Sequence, residues 1–274
     1  MTARVLSIAN CKGGTGKSTT AVNVAAELAA EHFRVLVMDL DPQGHSGLGF
    51  GLAARLGQAN AHAPLLGRRM DLRGAVLRSE EDEVDVLPAD RSFDGQITNK
   101  GIRCLAEALE PLKPDYDLIL LDVPPAAAAL TVCALMASDG VIIPTTLDPL
   151  GLEGVRQFAR SYHSLMLQHG AAVRGFAIAP MRIDLRSNVE KDVLGQLRTS
   201  FGPGQMIRGV RTDIAVSEAF ARRQPVRRHR ARARAAEDFR GVAADVVRRF
   251  SVEARESFPV MRGRVEGFVR TPWM

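Results

Sequence analysis

A short apolar run, Val5-Leu6-Ser7-Ile8-Ala9, leads into Cys11-Lys12-Gly13-Gly14-Thr15-Gly16-Lys17-Ser18-Thr19. The residues beyond carry Val22, Val24, Ala25 and Leu28 at helical spacing. Strand, glycine loop and helix in that order restrict this chain more than any other feature. The apolar run reads as a parallel strand buried on both faces. The glycines let backbone approach a phosphate, consecutive N–H groups form an anion nest, and the helix N-terminus adds its dipole. Lys17 is placed to reach β- and γ-phosphates, and the Ser18 hydroxyl to ligate Mg²⁺. The loop is a variant: Cys11 stands where the common pattern has glycine, and Lys12 is an extra cation at its front. Cys11 reads as a small filler rather than a nucleophile.

The rest of the chain continues the alternation. Strands are expected at Arg34–Leu40, Val84–Leu87, Tyr116–Val123, Gly140–Pro144, Val173–Pro180 and Gln205–Val210, and helices near 102–112, 127–137, 151–167, 188–200 and 235–250. That is the pattern of an α/β fold, a mostly parallel twisted sheet with helices on both faces. Residues 51–80 are the least patterned internal stretch. One domain over 1–250 is expected, with 251–274 as a docking or disordered tail. At 46% hydrophobic and 24% charged residues the chain is neither a fibre nor a disordered segment. Its cysteines, Cys11, Cys104 and Cys133, are too few and too scattered for a disulfide framework or a zinc site, so a reducing cytosol is the expected setting. No apolar run reaches the ~18 residues of a membrane span, and no stable membrane insertion is expected.

Three acids fall where strands end. Asp39 and Asp41 close the second strand two residues apart, so both face one way at the rim where open α/β sheets bind ligands. Beside a phosphate loop they imply metal or water positioning. Asp122 ends an apolar strand, where an unpartnered carboxylate would be costly. It is expected to hold Mg²⁺ through water and to hydrogen-bond Ser18.

The loop K-G-G-T-G-K-S-T, with Val37-Met38-Asp39-Leu40-Asp41-Pro42-Gln43-Gly44 and Tyr116-Asp117-Leu118-Ile119-Leu120-Leu121-Asp122-Val123-Pro124-Pro125, resembles the deviant Walker A ATPases of the ParA/MinD family, in its ParA-like branch. Val141-Ile142-Ile143-Pro144 and Leu152-Glu153-Gly154 also match, and the similarity runs over about residues 3–248. The resemblance implies a P-loop NTPase that binds ATP with Mg²⁺. It implies nucleotide contacts from Lys12, Gly13, Gly14, Thr15, Gly16, Lys17, Ser18, Thr19 and Asp213. It implies metal support from Ser18, Asp39 and Asp122, with Asp39 not touching the ion, and catalysis by Lys12, Lys17 and Asp41. In the family Asp41's counterpart orients the attacking water, and the counterpart of Lys12 crosses a nucleotide-sandwich dimer to the partner's phosphates. The chain favours arginine so heavily that its only lysines are Lys12, Lys17, Lys100, Lys113 and Lys191, which suits a demand for a compact ammonium at the first two.

Residues 222–234 hold seven arginines and no acid, more than the whole formal charge of +5. With no aromatic residue among them, they indicate phosphate neutralisation rather than base stacking. Arg222, Arg223, Arg227, Arg228, Arg230, Arg232 and Arg234 are the expected contacts to non-specific double-stranded DNA. Arg186 joins them because it aligns with a basic position of partitioning relatives, and Arg208 and Arg211 could extend the patch. Against this, Ala215 stands where relatives carry a further basic residue. The arginines could instead form a solvated face or pair with the acids at 80–83. The function expected is an ATP-dependent partitioning or positioning ATPase, cytoplasmic and nucleoid-associated. It would act as an ATP homodimer that a ParB-like or analogous cargo adaptor stimulates. The alternative is a MinD-like regulator docking on membrane or protein without DNA. Cys104 and Cys133 do not form the subunit-bridging cluster motif of nitrogenase iron proteins, so electron transfer is not expected.

Overall fold

Strand β1 (Arg4–Ile8) lies in the middle of an eight-stranded sheet in the computed structural model, which describes residues 2–54, 60–67, 71–97, 102–125, 128–169 and 175–254. The other strands are β2 (Val35–Asp39), β3 (Leu77–Ser79), β4 (Val84–Leu87), β5 (Leu118–Asp122), β6 (Gly140–Thr146), β7 (Phe176–Ile183) and β8 (Val210–Arg211). Their spatial order is β3-β4-β2-β5-β1-β6-β7-β8. Every neighbouring pair is parallel except β3 with β4, where Leu77 faces Val86 across an antiparallel edge. The α/β fold class expected from the sequence is therefore the one observed.

The α-helices among the described residues are α1 (Lys17–Ala29), α2 (His45–Gly49), α3 (Cys104–Leu109), α4 (Ala128–Met136), α5 (Pro149–His169), α6 (Asn188–Phe201), α7 (Ile214–Ala221), α8 (Val226–His229) and α9 (Arg234–Phe250), with four short 3-10 turns between them. Period-two alternation in the strands separates two cores. Leu36, Met38, Ile119, Leu121, Val141 and Ile143 pack with α3, α4, α5 and α6 on one face. Leu6, Ile8, Val35, Val37, Leu118, Leu120 and Ile142 pack with α1, α7 and α9 on the other. Both faces are covered, which is why the strands read as nearly continuous apolar runs.

Most strand and helix expectations hold within a few residues. The last two strands shift: β7 runs to Ile183, and β8 is only Val210–Arg211, with Met206 contributing one isolated bridge to Ile178. Four of these strands and helices had no sequence counterpart, the five-residue α2 among them. β3 is three residues long, and α7 and α8 interrupt a stretch read only for its charge. The short β8 is held from outside. Arg211 forms a bidentate pair with the buried Asp238 of α9 at 2.7 Å, and Arg208 pairs with the buried Asp245 at 3.3 Å. Both arginines thus clamp α9 to the sheet edge instead of extending a free basic patch. Of the expected tail, 255–274 lie outside the described residues.

Candidate active site

The loop between β1 and α1 sits at the C-terminal rim, where β1 is flanked by β5 and β6. Asn10 braces it from within: its amide donates to Pro144 O at 2.8 Å, and its oxygen accepts from Lys12 N at 3.1 Å. Gly14 and Gly16 have φ of +71° and +92°, the left-handed region that side chains resist. A Cβ on Gly16 would also meet Met181 at 3.3 Å. Helix α1 starts with no side-chain cap and no acid in its first turn. Its N–H groups and dipole therefore lack an anion of the chain's own, the arrangement that receives phosphate. Lys17 is buried within the loop and donates to Lys12 O at 3.2 Å. Burial lowers its pKa, while Asp122 and Asp41 pull it back up. Burial raises the Cys11 thiol, in keeping with its reading as filler.

The carboxylates stand beside this loop. Asp39 and Asp122 are cross-strand partners of β2 and β5, and both are fully buried. Asp39 accepts from Asp41 N at 3.2 Å and Gly47 N at 2.9 Å, so it shapes the turn that follows it. Its pKa lies well above the usual value because it is buried and Asp122 is beside it. Asp122 accepts from the Ser46 hydroxyl at 2.7 Å through Oδ2. Burial pushes it up to about 6, with the Ser18 and Ser46 hydroxyls working the other way. Its Oδ1 is buried without a geometrically formed hydrogen bond. That orphaned oxygen fits a hydrated cation, which would also relieve the repulsion between two acids. No group of three or more His, Cys, Asp or Glu among the described residues could hold a metal alone. Such an ion would need phosphate oxygens besides Ser18 and Asp122, the usual manner of Mg²⁺. Asp41 is half-buried at the rim and accepts from Gln43 N at 2.9 Å.

Lys12 does not enter its own loop. Its ammonium pairs at 3.1 Å with Asp148, which follows β6 and also accepts from the Thr146 hydroxyl and Gly151 N. Burial would raise Asp148, but these donors and Lys12 outweigh it and bring it down to about 2. Asp213 caps α7, accepting from Ala215 N at 3.0 Å and from Ala235 N at 3.2 Å, so both its oxygens serve backbone.

The arginine segment is divided. Arg227 pairs at 3.6 Å with the buried Glu27 of α1, which also meets Arg240 at 3.5 Å. Arg228 pairs with Glu81 and Asp82, joining α8 to the turn before β4. The sequence had left open a pairing with the acids at 80–83, and for Arg228 that is what forms. Arg230 meets Glu218 at 3.1 Å, Arg234 reaches Thr212 O at 3.4 Å, and Arg186 chelates Asp184 while remaining 91% exposed. Arg222, Arg223 and Arg232 are exposed. Sequence reasoning missed Asp148, Ser46 and Glu27. Only Asp148 offered a signal, as an acid just past the rim end of a strand.

A protein-family model described as an AAA domain matches residues 3–172. The chromosome partitioning protein ParA of Caulobacter vibrioides is 32% identical over 231 residues, 81% of this chain and 86% of that protein. The chain belongs to the ParA/MinD family of P-loop ATPases. Among solved structures, one described as a Mycobacterium smegmatis cobyrinic acid a,c-diamide synthase with bound ADP and magnesium is 27% identical. It has a TM-score of 0.74 and covers 91% of this chain and 96% of its own. Apo McdA of Cyanothece superposes with a TM-score of 0.80 at 18% identity, over 89% of this chain and 99% of that one, and speaks for the fold. The loop at 11–19, Asp39, Asp41 and Asp122 all fall inside the region that the AAA-domain model covers.

Proposed function

We propose that this chain is a partitioning or positioning ATPase that binds ATP with Mg²⁺, closes into a face-to-face homodimer, and in that state holds DNA without regard to sequence. The observation that carries the reading is Lys12, a loop lysine whose ammonium is held by Asp148 beyond β6 and not by a group of its own loop. Such an ammonium is useful where charge builds in another subunit's reaction, as a cation supplied in trans. The surface supports it. Of the six exposed large apolar residues among those described, Leu150, Leu185, Val189, Ile214 and Phe220 sit on helices or loops that leave the rim ends of β6, β7 and β8, on the same side as the loop, while Leu167 lies near the far end of α5.

Lys17 and the α1 N-terminus would bind the phosphates, and Asp41 would orient the attacking water. Mg²⁺, held by Ser18 and by Asp122 through water, would neutralise phosphate charge. Asp39 supports that site by fixing the backbone of Asp41 and Gly47. Asp213 acts on the nucleotide only through the loop it caps. For DNA, Arg222, Arg223 and Arg232 form the accessible centre, and Arg186, Arg230 and Arg234 extend it by exchanging their present partners. Arg227 and Arg228 contribute from within, holding α8 in place. A ParB-like or analogous adaptor would stimulate hydrolysis and release the dimer from DNA at the nucleoid. Among the described residues no helix is long and apolar enough to cross a membrane.

The test is retention on non-specific duplex DNA with ATP and Mg²⁺, and its loss at high salt. No retention in any state would favour the docking regulator that lacks DNA binding, and equal retention without nucleotide would overturn the claim that the ATP-closed dimer is the state that holds DNA.

A further inference from the structure

We propose that His62 is a positioning residue for hydrolysis, its neutral imidazole fixing the peptide that carries Asp41. The inference rests on the ATPase reading above and adds a residue from the unpatterned stretch 51–80.

His62 is completely buried, with Nε2 3.0 Å from Leu40 O and Nδ1 3.0 Å from Asp90 N. A backbone N–H can only donate and a carbonyl can only accept. Nδ1 is therefore the acceptor and Nε2 carries the hydrogen, which fixes the tautomer without reference to any titration. The holder is itself held. The ring stacks on Phe93 at 4.2 Å and 16°, His62 N donates to Asn60 Oδ1 at 3.0 Å, and Ala61 N donates to Pro88 O at 2.9 Å.

What the ring grips is the peptide unit between Leu40 and Asp41. Its carbonyl accepts from His62, and its N–H donates to Asp39 Oδ1 at 3.2 Å. One residue earlier, Leu40 N donates to Asp122 O at 2.9 Å. A peptide plane pinned at both poles sets ψ of Leu40 and φ of Asp41, and so the direction in which the Asp41 side chain leaves the backbone. An apolar side chain could fill the same space. It would leave Leu40 O and Asp90 N buried and unpaired, and the plane held at one end only.

The test compares His62→Gln, whose amide nitrogen can reach the Nε2 position, with His62→Asn, which reaches only the Nδ1 position. Turnover and affinity for ATP are measured separately in the presence of DNA and Mg²⁺. In His62→Asn we expect kcat to fall about tenfold with ATP affinity within about twofold, because misplacing a reacting group by ~1 Å costs up to ~10²-fold. His62→Gln should recover most of that loss. Equal turnover in both variants and wild type, or kcat and affinity falling together, would overturn the proposal. Wild type that hydrolyses no ATP would instead overturn the ATPase reading. A second arm uses wild type alone: ring ¹⁵N shifts with a hydrolysis-resistant ATP analogue bound should report a neutral Nε2–H imidazole for His62. An Nδ1–H ring there would overturn the proposal even if the variants failed to fold.

Discussion

Arg227→Ala should weaken the fold in a pH-dependent manner that a free surface arginine would not show. Glu27 is 3% exposed and lies between Arg227 at 3.6 Å and Arg240 at 3.5 Å, with Glu31 adding repulsion. Removing one partner of a fully buried pair costs ~3–5 kcal/mol. Here Arg227 is partly exposed and Arg240 remains, so screening and the second cation reduce that to about 1–2 kcal/mol. At ~2–4 °C per kcal/mol for a chain of this size, the melting temperature should drop by about 2–8 °C. Burial already holds the Glu27 carboxyl above its usual value against both arginines, and losing Arg227 raises it further. A carboxyl raised in the folded state binds its proton more readily there than in the unfolded chain. Ionising it therefore costs stability in full above the folded pKa, and the cost is relieved as pH falls through that value towards the unfolded one. The deficit of Arg227→Ala should be largest at pH 7–8 and shrink towards pH 5. Calorimetric melts of both proteins at four pH values test this. Equal melting throughout, or a deficit that grows on acidification, would refute the placement of Arg227 as a brace.

Replacing Arg222, Arg223 and Arg232 together with alanine should weaken DNA retention in ATP, and the slope of log affinity against log salt should fall by about one unit per arginine that touches phosphate. ATP turnover without DNA serves as the control and should be unchanged. Lys12→Ala should still bind ATP, measured with a fluorescent analogue, but lose stimulated turnover. Asp148→Asn, which weakens the hold on Lys12, should lower the protein concentration at which ATP-dependent dimers form. Asp41→Ala should bind ATP and accumulate the dimer without releasing phosphate, read by size-exclusion light scattering.

The sheet was legible because its central strands are short, apolar and buried on both faces. Val5–Ile8, Val35–Asp39 and Leu118–Asp122 could be little else. The phosphate loop was legible because glycine, lysine and hydroxyl residues must come in order along the chain. What lay hidden depends on contacts between distant segments. Arg227 and Glu27 are 200 positions apart, so nothing in a run of arginines separates a brace from a free cation. α8 has four residues, too few to show a period, and β8 has two. His62 sits among Asn60, Ala61 and Ala63 with no alternation to mark it, and its role comes from Leu40 and Asp90, which the fold brings to its two nitrogens. Asp148 could have been found, since it follows an apolar strand at the ligand rim as Asp41 and Asp122 do.

The central claim is that Lys12 serves a second copy of the molecule. Sedimentation velocity over a wide range of protein concentration, with Mg²⁺ and a hydrolysis-resistant ATP analogue, addresses it directly. Wild type should shift from monomer to dimer only with the analogue, and Lys12→Ala should stay monomeric while still saturated with nucleotide. A wild-type protein that remains monomeric when saturated, or a Lys12→Ala variant that dimerises as readily, would contradict it.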